Sequence, residues 1–282
     1  MNILDKIVRD KLKEVSLKKE LIPMHILEKT PLFDRKTISL AQKLRNSSTG
    51  IIAEFKRRSP SKSVINETAN IDDVAIGYEQ AGVCGMSVLT DEIYFGGTLD
   101  DLIIARQSCN LPILRKEFII DEYQLLEAKA FGADAILLIA AILTRDEIKQ
   151  FSEFAKSLQL DVLLEVHNEE ELHKSIMPSL DMLGVNNRNL KTFEVSLETS
   201  KALSKIIPDD FVKASESGIS SVEAIKELQP FGYQGFLIGE NFMKTDNPGA
   251  SATEFINKLK GSLMRNPIST KITLNRFLPS QE

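Results

Sequence analysis

IIAEFKRRSPSK, residues 51–62, decides how the rest of the chain is read. An apolar run ends in charge, as in a short buried strand that opens into a loop. Side chains two apart on a strand share a face, so Ile52, Glu54 and Lys56 point one way and Ile51, Ala53 and Phe55 the other. A carboxylate and an ammonium then sit together at the strand's end, and buried Glu and Lys are rare unless paired or functional. Ser59, Pro60 and Ser61 follow as a turn rich in hydroxyls. From this stretch alone, an ion pair sealing a barrel end and a catalytic pair both stay open.

Outward from Ile51 one unit recurs, a short apolar strand with a polar end followed by an amphipathic helix. Eight strands can be counted: IIAEFK from 51, MSVLT from 86, LPILRKEF from 111, DAILLIAAIL from 134, DVLLEVH from 161, MLGVNNRN from 182, FVKASESG from 211 and GFLIGENF from 235. Between them lie helical patterns such as IDDVAIGYEQAGV, DEYQLLEAKAFGA, TRDEIKQFSEFAKSLQ, NEEELHKSI and SVEAIKELQPFG, with apolar residues at three-and-four spacing. Such alternation implies a parallel sheet. Eight repeats in about 210 residues match a closed α/β barrel of the (β/α)8, or TIM, type, whose typical size is ~250 residues. An open doubly wound sheet is the alternative, and the lack of G-x-G-x-x-G after the first strand stands against it.

Residues 1–47 read as helical, with Ile3, Ile7, Leu12, Val15, Leu27, Leu32, Leu40 and Leu44 among charged neighbours. The segment is too short to bury much alone, so it is expected to be an N-terminal helical extension packed as an accessory layer on the barrel rather than a separate domain. It is also expected to act on substrate binding more than on folding. Residues 48–261 form the expected barrel, and residues 262–282 a C-terminal tail without strong periodicity.

Composition narrows the function. A hydrophobic share of 43% beside 27% charged residues is that of a soluble globular protein. No apolar run reaches the ~18 residues of a membrane span, and the N-terminus has no apolar signal core, so a cytoplasmic protein without membrane partners is expected. Cys84 and Cys109 lack metal-ligand spacing and fit a reducing compartment. A net charge of -5 with no basic tract argues against nucleic acid. His25, His167 and His173 are scattered, so no histidine-rich metal site is indicated.

Barrels of this type react at the C-terminal ends of their strands. By parity the third strand turns Leu114, Lys116 and Phe118 inward and leaves Arg115 and Glu117 on the other side. The fifth gives Leu163, Glu165 and His167 on one face, and the sixth Gly184, Asn186 and Arg188. Glu54, Lys56, Lys116, Glu165, Asn186 and Arg188 thus converge on one mouth. Desolvating so many polar groups on four strands costs energy that a working site justifies better than a structural one. A lysine beside other cations in a water-poor mouth is also expected to lose its proton more easily. His167, next to Asn168, reads as a residue that opens a helix. SESG at 215–218 and IGEN at 238–241 place glycines in the loops after the seventh and eighth strands, the usual phosphate site of such barrels, with two ordinary strand-to-helix turns as the alternative.

In their joint order, IIAEFKRRSPS, LPILRKEFIIDEYQ, LLEVHNEEEL, LGVNNRNLKTF and ASESGI resemble the indole-3-glycerol-phosphate synthase family, over nearly the whole chain apart from the tail. The resemblance implies a carbon-carbon lyase of tryptophan biosynthesis. Its substrate is 1-(o-carboxyphenylamino)-1-deoxyribulose 5-phosphate, which loses carbon dioxide and water to give indole-3-glycerol phosphate without cofactor or metal. It implies Lys116 as general acid on the sugar carbonyl and Glu165 as the carboxylate that stabilises developing positive charge and shares proton transfer. Lys56 is implied near the substrate carboxylate and in the later dehydration, with Glu54 and Asn186 holding sugar hydroxyls and lysines. Arg188, Ser217, Gly218, Gly239 and Glu240 match positions around the polar end and phosphate, Ser59 and Glu216 join the substrate-binding set, Phe95 and Phe118 match the wall around the aromatic ring, and residues 1–47 match the extra helical segment that partly covers the barrel mouth.

Two positions depart from the family pattern: Glu117 stands where aspartate is common, and Ser63 where glycine is usual. The nearest rival, phosphoribosylanthranilate isomerase, favours a cysteine and aspartate pair, and the first strand here has no cysteine. A non-catalytic phosphometabolite-binding protein is the rival of another class, against which stand Lys56, Lys116, Glu165, Asn186 and Arg188 together. The oligomeric state is not readable from the pattern, with a monomer slightly favoured.

Overall fold

The structure is a computed structural model that describes residues 3–190 and 192–265. Its N-terminal part forms α1 (Ile3–Leu21), α2 (Met24–Leu27) and α3 (Leu40–Arg45). The strands are β1 (Ile51–Phe55), β2 (Gly85–Leu89), β3 (Ile113–Lys116), β4 (Ala135–Ile139), β5 (Asp161–Val166), β6 (Met182–Asn186), β7 (Val212–Glu216) and β8 (Tyr233–Ile238). Between successive strands lie α4 (Ile71–Ala81), the pair α5 (Glu92–Phe95) and α6 (Leu99–Ser108), then α7 (Glu122–Ala130), α8 (Arg145–Ser157), α9 (Glu169–Ser175), α10 (Glu198–Ser204) and α11 (Val222–Leu228). After β8 come α12 (Glu240–Met243) and α13 (Pro248–Arg265).

All eight strands pair in parallel, in chain order, and β8 closes on β1 through Ile51 opposite Phe236 and Ala53 opposite Ile238. The strands are buried and largely apolar on both faces because each is covered on both. Ile51, Ala53 and Phe55 face the helices, packing with Tyr78, Phe236 and Phe242. Ile52, Leu114, Leu137, Leu163, Met182, Ala214 and Leu237 fill the interior. The alternation read from IIAEFK is therefore the real one.

The extension departs from its expected place. Ile3, Leu4 and Ile7 do reach the cavity at the C-terminal ends of the strands. The chain is not helical from residue 28 to residue 39, however, and α3 sits at the opposite end of the barrel. There Leu40 and Leu44 are wholly buried, against Gly85 at the start of β2 and Gly235 on β8. Ser39 Oγ and the Ala41 amide both donate to Asp161 at the start of β5, at 2.8 and 2.9 Å. The physical reason is that an open barrel bottom would expose the interior layer, and two leucines anchored by hydrogen bonds cover it. The extension thus belongs to the barrel's core as well as to its mouth.

At the other terminus, residues 262–265 complete α13 rather than begin a tail, and the tail from 266 onward lies outside the described residues. Among the described residues no helix is long and apolar enough to cross a membrane.

Candidate active site

A cavity of about 410 Å³ opens at the C-terminal ends of the strands. It is lined by Glu54, Lys56 and Ser59 from β1 and its loop, Phe95 from α5, Lys116 and Phe118 from the end of β3, and Glu165 from β5. Asn186 and Arg188 follow from β6 and its loop, Glu216, Ser217 and Gly218 from β7, and Gly239 and Glu240 from the end of β8. Every candidate read from the sequence therefore borders one space. Strand parity brings Glu54, Lys116, Glu165, Asn186 and Glu216 there, since each stands at or near the last inward position of its strand, and the loops that follow bring the others.

Lys116 is the centre of the charge arrangement. Its ammonium pairs most closely with Glu216 across the barrel, and lies 3.7 Å from Glu54 and 3.8 Å from Glu165. Burial works against its charge, but Glu216, Glu54 and Glu165 prevail and hold its pKa above the usual lysine value. The expectation of an easily deprotonated lysine is thereby corrected: the neighbours are carboxylates, not cations, so Lys116 is held as an acid. Lys56 donates to Glu54 Oε1 at 2.6 Å. Burial opposes the Glu54 charge, yet Lys56 and Lys116 keep its carboxyl below the ordinary range.

The three carboxylates do not behave alike. Burial also disfavours the Glu165 charge, but His167, Lys116 and Asn186 outweigh it and lower the pKa to about 2. Glu216 goes the other way: burial and the negative fields of Glu165 and Glu54 outweigh Lys116, and its pKa is pushed up to about 7. One of its oxygens, Oε1, is buried with no hydrogen-bond partner among the described residues.

Room for these groups is made by glycine. A Cβ on Gly184 would lie 2.7 Å from Glu216 Oε1, and one on Gly239 would lie 2.6 Å from Glu54 Oε1. Gly239 was expected only to admit a phosphate, and the structure adds this second reason. At the end of β7, Ser217 and Gly218 take successive left-handed conformations, φ 64° and 79°. Buried Asn187 holds that turn, donating to the carbonyls of Glu216 and Ser217, each at 3.0 Å. Arg188 and Lys244 bring positive charge to the same side of the cavity. The opposite wall is aromatic, with the Phe95 and Phe118 rings 5.9 Å apart between centroids. Across the mouth Lys62 meets the exposed carboxylate of Glu240 at 2.8 Å.

Sequence reasoning missed several participants. Asn187 stands beside Asn186 in NNRN, and its neighbour drew the attention. Lys244 lies beyond the eighth strand-end motif. His167 does open α9, its amide donating to Glu171 Oε2 at 2.8 Å, but its ring also lies 3.3 Å from Glu165. The inward parity of Leu163, Glu165 and His167 was the available signal.

Comparison with known proteins adds the lineage. A family model described as indole-3-glycerol phosphate synthase matches residues 4–255. A protein of that name from Bacteroides thetaiotaomicron is 46% identical over 259 residues, covering 92% of this chain and 99% of that one. Another of that name, from Caldanaerobacter subterraneus subsp. tengcongensis, is 43% identical over 259 residues with the same coverage. Among solved structures, thiamine phosphate pyrophosphorylase from Pyrococcus furiosus superimposes with a TM-score of 0.58 at 15% identity, over 80% of this chain and all of that one. That likeness speaks for the fold alone.

Proposed function

The chain belongs to the indole-3-glycerol phosphate synthase family, and from that premise we propose how its cavity closes the indole ring. The protein is a carboxy-lyase of tryptophan biosynthesis. It converts 1-(o-carboxyphenylamino)-1-deoxyribulose 5-phosphate to indole-3-glycerol phosphate, carbon dioxide and water. The observation that carries the mechanism is the Lys116 ammonium ringed by Glu54, Glu165 and Glu216.

Ring closure forms a carbon-carbon bond at the sugar carbonyl, whose oxygen must gain a proton as the bond forms. Lys116, kept protonated by its three carboxylates, donates it. Carbon dioxide then leaves the ring carbon and the ring regains aromaticity. Dehydration needs a proton on the departing hydroxyl and another removed from carbon. Lys56 supplies the first and Glu165, held ionised, accepts the second. Glu54 keeps Lys56 in place, and Asn186, donating to Glu165 Oε1 at 3.1 Å, keeps that carboxylate in place.

The phosphate is assigned to the turns after β7 and β8, with Ser217, Gly218, Gly239, Arg188 and Lys244 around it. Backbone N–H groups in a left-handed turn suit an anion. Phe95 and Phe118 cover the aromatic ring, and Ser59 and Glu240 border the open side. We place the enzyme in the cytoplasm, which suits its two buried free cysteines, and as a monomer. A fluorescence assay for indole-3-glycerol phosphate tests the reading directly. The full chain is expected to turn over the substrate without added metal or cofactor, and a folded, pure preparation that formed no product would overturn it.

A further inference from the structure

His167 has no part in the mechanism above, yet its ring stands between two carboxylates. Nδ1 lies 3.1 Å from Glu171 Oε2, and Nε2 lies 3.3 Å from Glu165 Oε1. The side chain is only 9% exposed, and Nε2 itself is buried without an aligned hydrogen-bond acceptor. It is therefore an ion contact, directed at the carboxylate that the mechanism uses to move a proton.

The two oxygens of Glu165 are treated differently. Oε1 faces His167 and also accepts from Asn186 Nδ2 at 3.1 Å, while Oε2 faces the Lys116 ammonium at 3.8 Å. A carboxylate tethered through one oxygen presents the other in a single orientation. Glu171 is itself fixed: its amide donates to Asn168 Oδ1 at 2.9 Å at the start of α9, and its Oε1 accepts from Asn168 Nδ2 at 2.9 Å.

We propose that His167 is a positioning residue for Glu165: braced by Glu171, it holds Oε1 and leaves Oε2 as the oxygen that exchanges protons with the substrate. The inference rests on the role assigned to Glu165 above. The charge state agrees with the geometry. Burial works against an imidazolium, but Glu165 and Glu171 prevail and push the His167 pKa up to about 10. Other groups bearing on the pair are Lys116 from β3 and, through it, Glu54 from β1 and Glu216 from β7. Asn186 faces it from β6, and the 3-10 turn Ala140–Ile142 packed on the same side brings no titratable side chain.

The test compares kcat, KM and melting temperature for wild type, His167→Ala, Glu171→Gln, the double variant and Glu165→Gln, at about pH 5.5 and about pH 8. A misplaced catalytic group costs on the order of 10- to 100-fold, so His167→Ala is expected to lose kcat on that scale with KM nearly unchanged. The loss should be greater at the lower pH, because Glu165 without its cation takes up a proton more readily. Glu171→Gln should move the same way by less, and the double variant should be no worse than His167→Ala, as two residues acting through one contact require. A folded His167→Ala with wild-type kcat at both pH values, or a Glu171→Gln effect that multiplies in full in the double variant, overturns the inference. If His167→Ala does not fold, Glu171→Gln decides alone by the presence or absence of its pH-dependent kcat loss. Should Glu165→Gln turn over normally, the role of Glu165 itself falls; an inactive Glu165→Gln beside an unmoved His167→Ala profile removes only the positioning.

Discussion

The ammonium of Lys11 lies 3.1 Å from Oε1 of Glu117, with the two side chains only 2% and 1% exposed, so α1 is tied by a buried ion pair to the chain neighbour of Lys116. The same ammonium meets Asp91 at 2.9 Å and Glu14 at 2.7 Å. Glu117 in turn accepts from Thr90 Oγ1 at 2.8 Å and from the Phe118 amide at 2.9 Å. Although it borders the cavity, Glu117 thus spends its carboxylate on structure.

Lys11→Met is expected to destabilise the protein, because Asp91 and Glu117 would stay buried with less compensation. Breaking a buried pair from one side costs about 3 kcal/mol, which for a chain of this size lowers Tm by about 5 °C. Thermal unfolding measures it, and a Tm within about a degree of wild type would show that the pair contributes nothing.

Lys116→Ala should remove chemistry and leave ground-state binding largely in place. The interaction between ammonium and carbonyl oxygen grows toward the transition state, so its loss appears in kcat. A fall on the order of 10²–10⁴-fold is expected with a modest change in KM. A normal kcat with a depressed Tm would mark the lysine as structural.

Gly218→Val and Gly239→Ala should part company. At Gly218 the φ of 79° and the nearby Val195 side chain make any larger residue distort the phosphate turn, so KM should rise roughly tenfold or more. At Gly239 the new methyl meets Glu54 Oε1, which would displace that carboxylate from Lys56 and lower kcat instead. Steady-state kinetics of the two variants separates the effects; equal rises in KM alone would leave Gly239 with the phosphate only and no part in holding Glu54.

Glu216 gives the stability a pH signature. Its folded pKa, about 7, is above the unfolded 4.5, so between those values the native state keeps a proton that the unfolded chain has lost. Its contribution therefore declines as pH rises through that window. Glu216→Gln, a mimic of the protonated form, should flatten the decline by a few degrees of Tm between about pH 5 and about pH 7.5. An identical slope in wild type and variant would rule out this titration.

Truncation before Ser47 is expected to cost folding as well as binding. It removes Leu40 and Leu44 from beneath the barrel and leaves Asp161 without Ser39 and Ala41. Losing two buried leucines costs about 4 kcal/mol or more, and calorimetry of the truncated chain should show a broad or lowered transition.

The fold was legible because a strand writes its orientation into alternate residues: Ile52, Glu54 and Lys56 announced an inner face before any coordinate was known. The same rule found the inward residues of β3, β5 and β6. What it could not supply was distance across the barrel. The Lys116 contact with Glu216 joins strands that are not neighbours, so no local pattern carries it, and it reversed the expected protonation of the lysine. Likewise α3 looked like the rest of a helical extension, and only its docking at the far end revealed its task. His167 had two roles open to it, and the nearer one, opening α9, concealed the contact with Glu165.

Gly184 and Gly239 bear on what it would take to move this chemistry elsewhere. A protein engineer transplanting the site to another eight-stranded barrel would naturally carry over Lys56, Lys116 and the three glutamates, all of them things that can be added. The host would normally offer ordinary branched side chains at the positions matching Gly184 and Gly239, and those would occupy the space of two carboxylates. The graft would then hold the right residues in the wrong rotamers. Two deletions have to travel with the five insertions, and a list of active groups would not mention them.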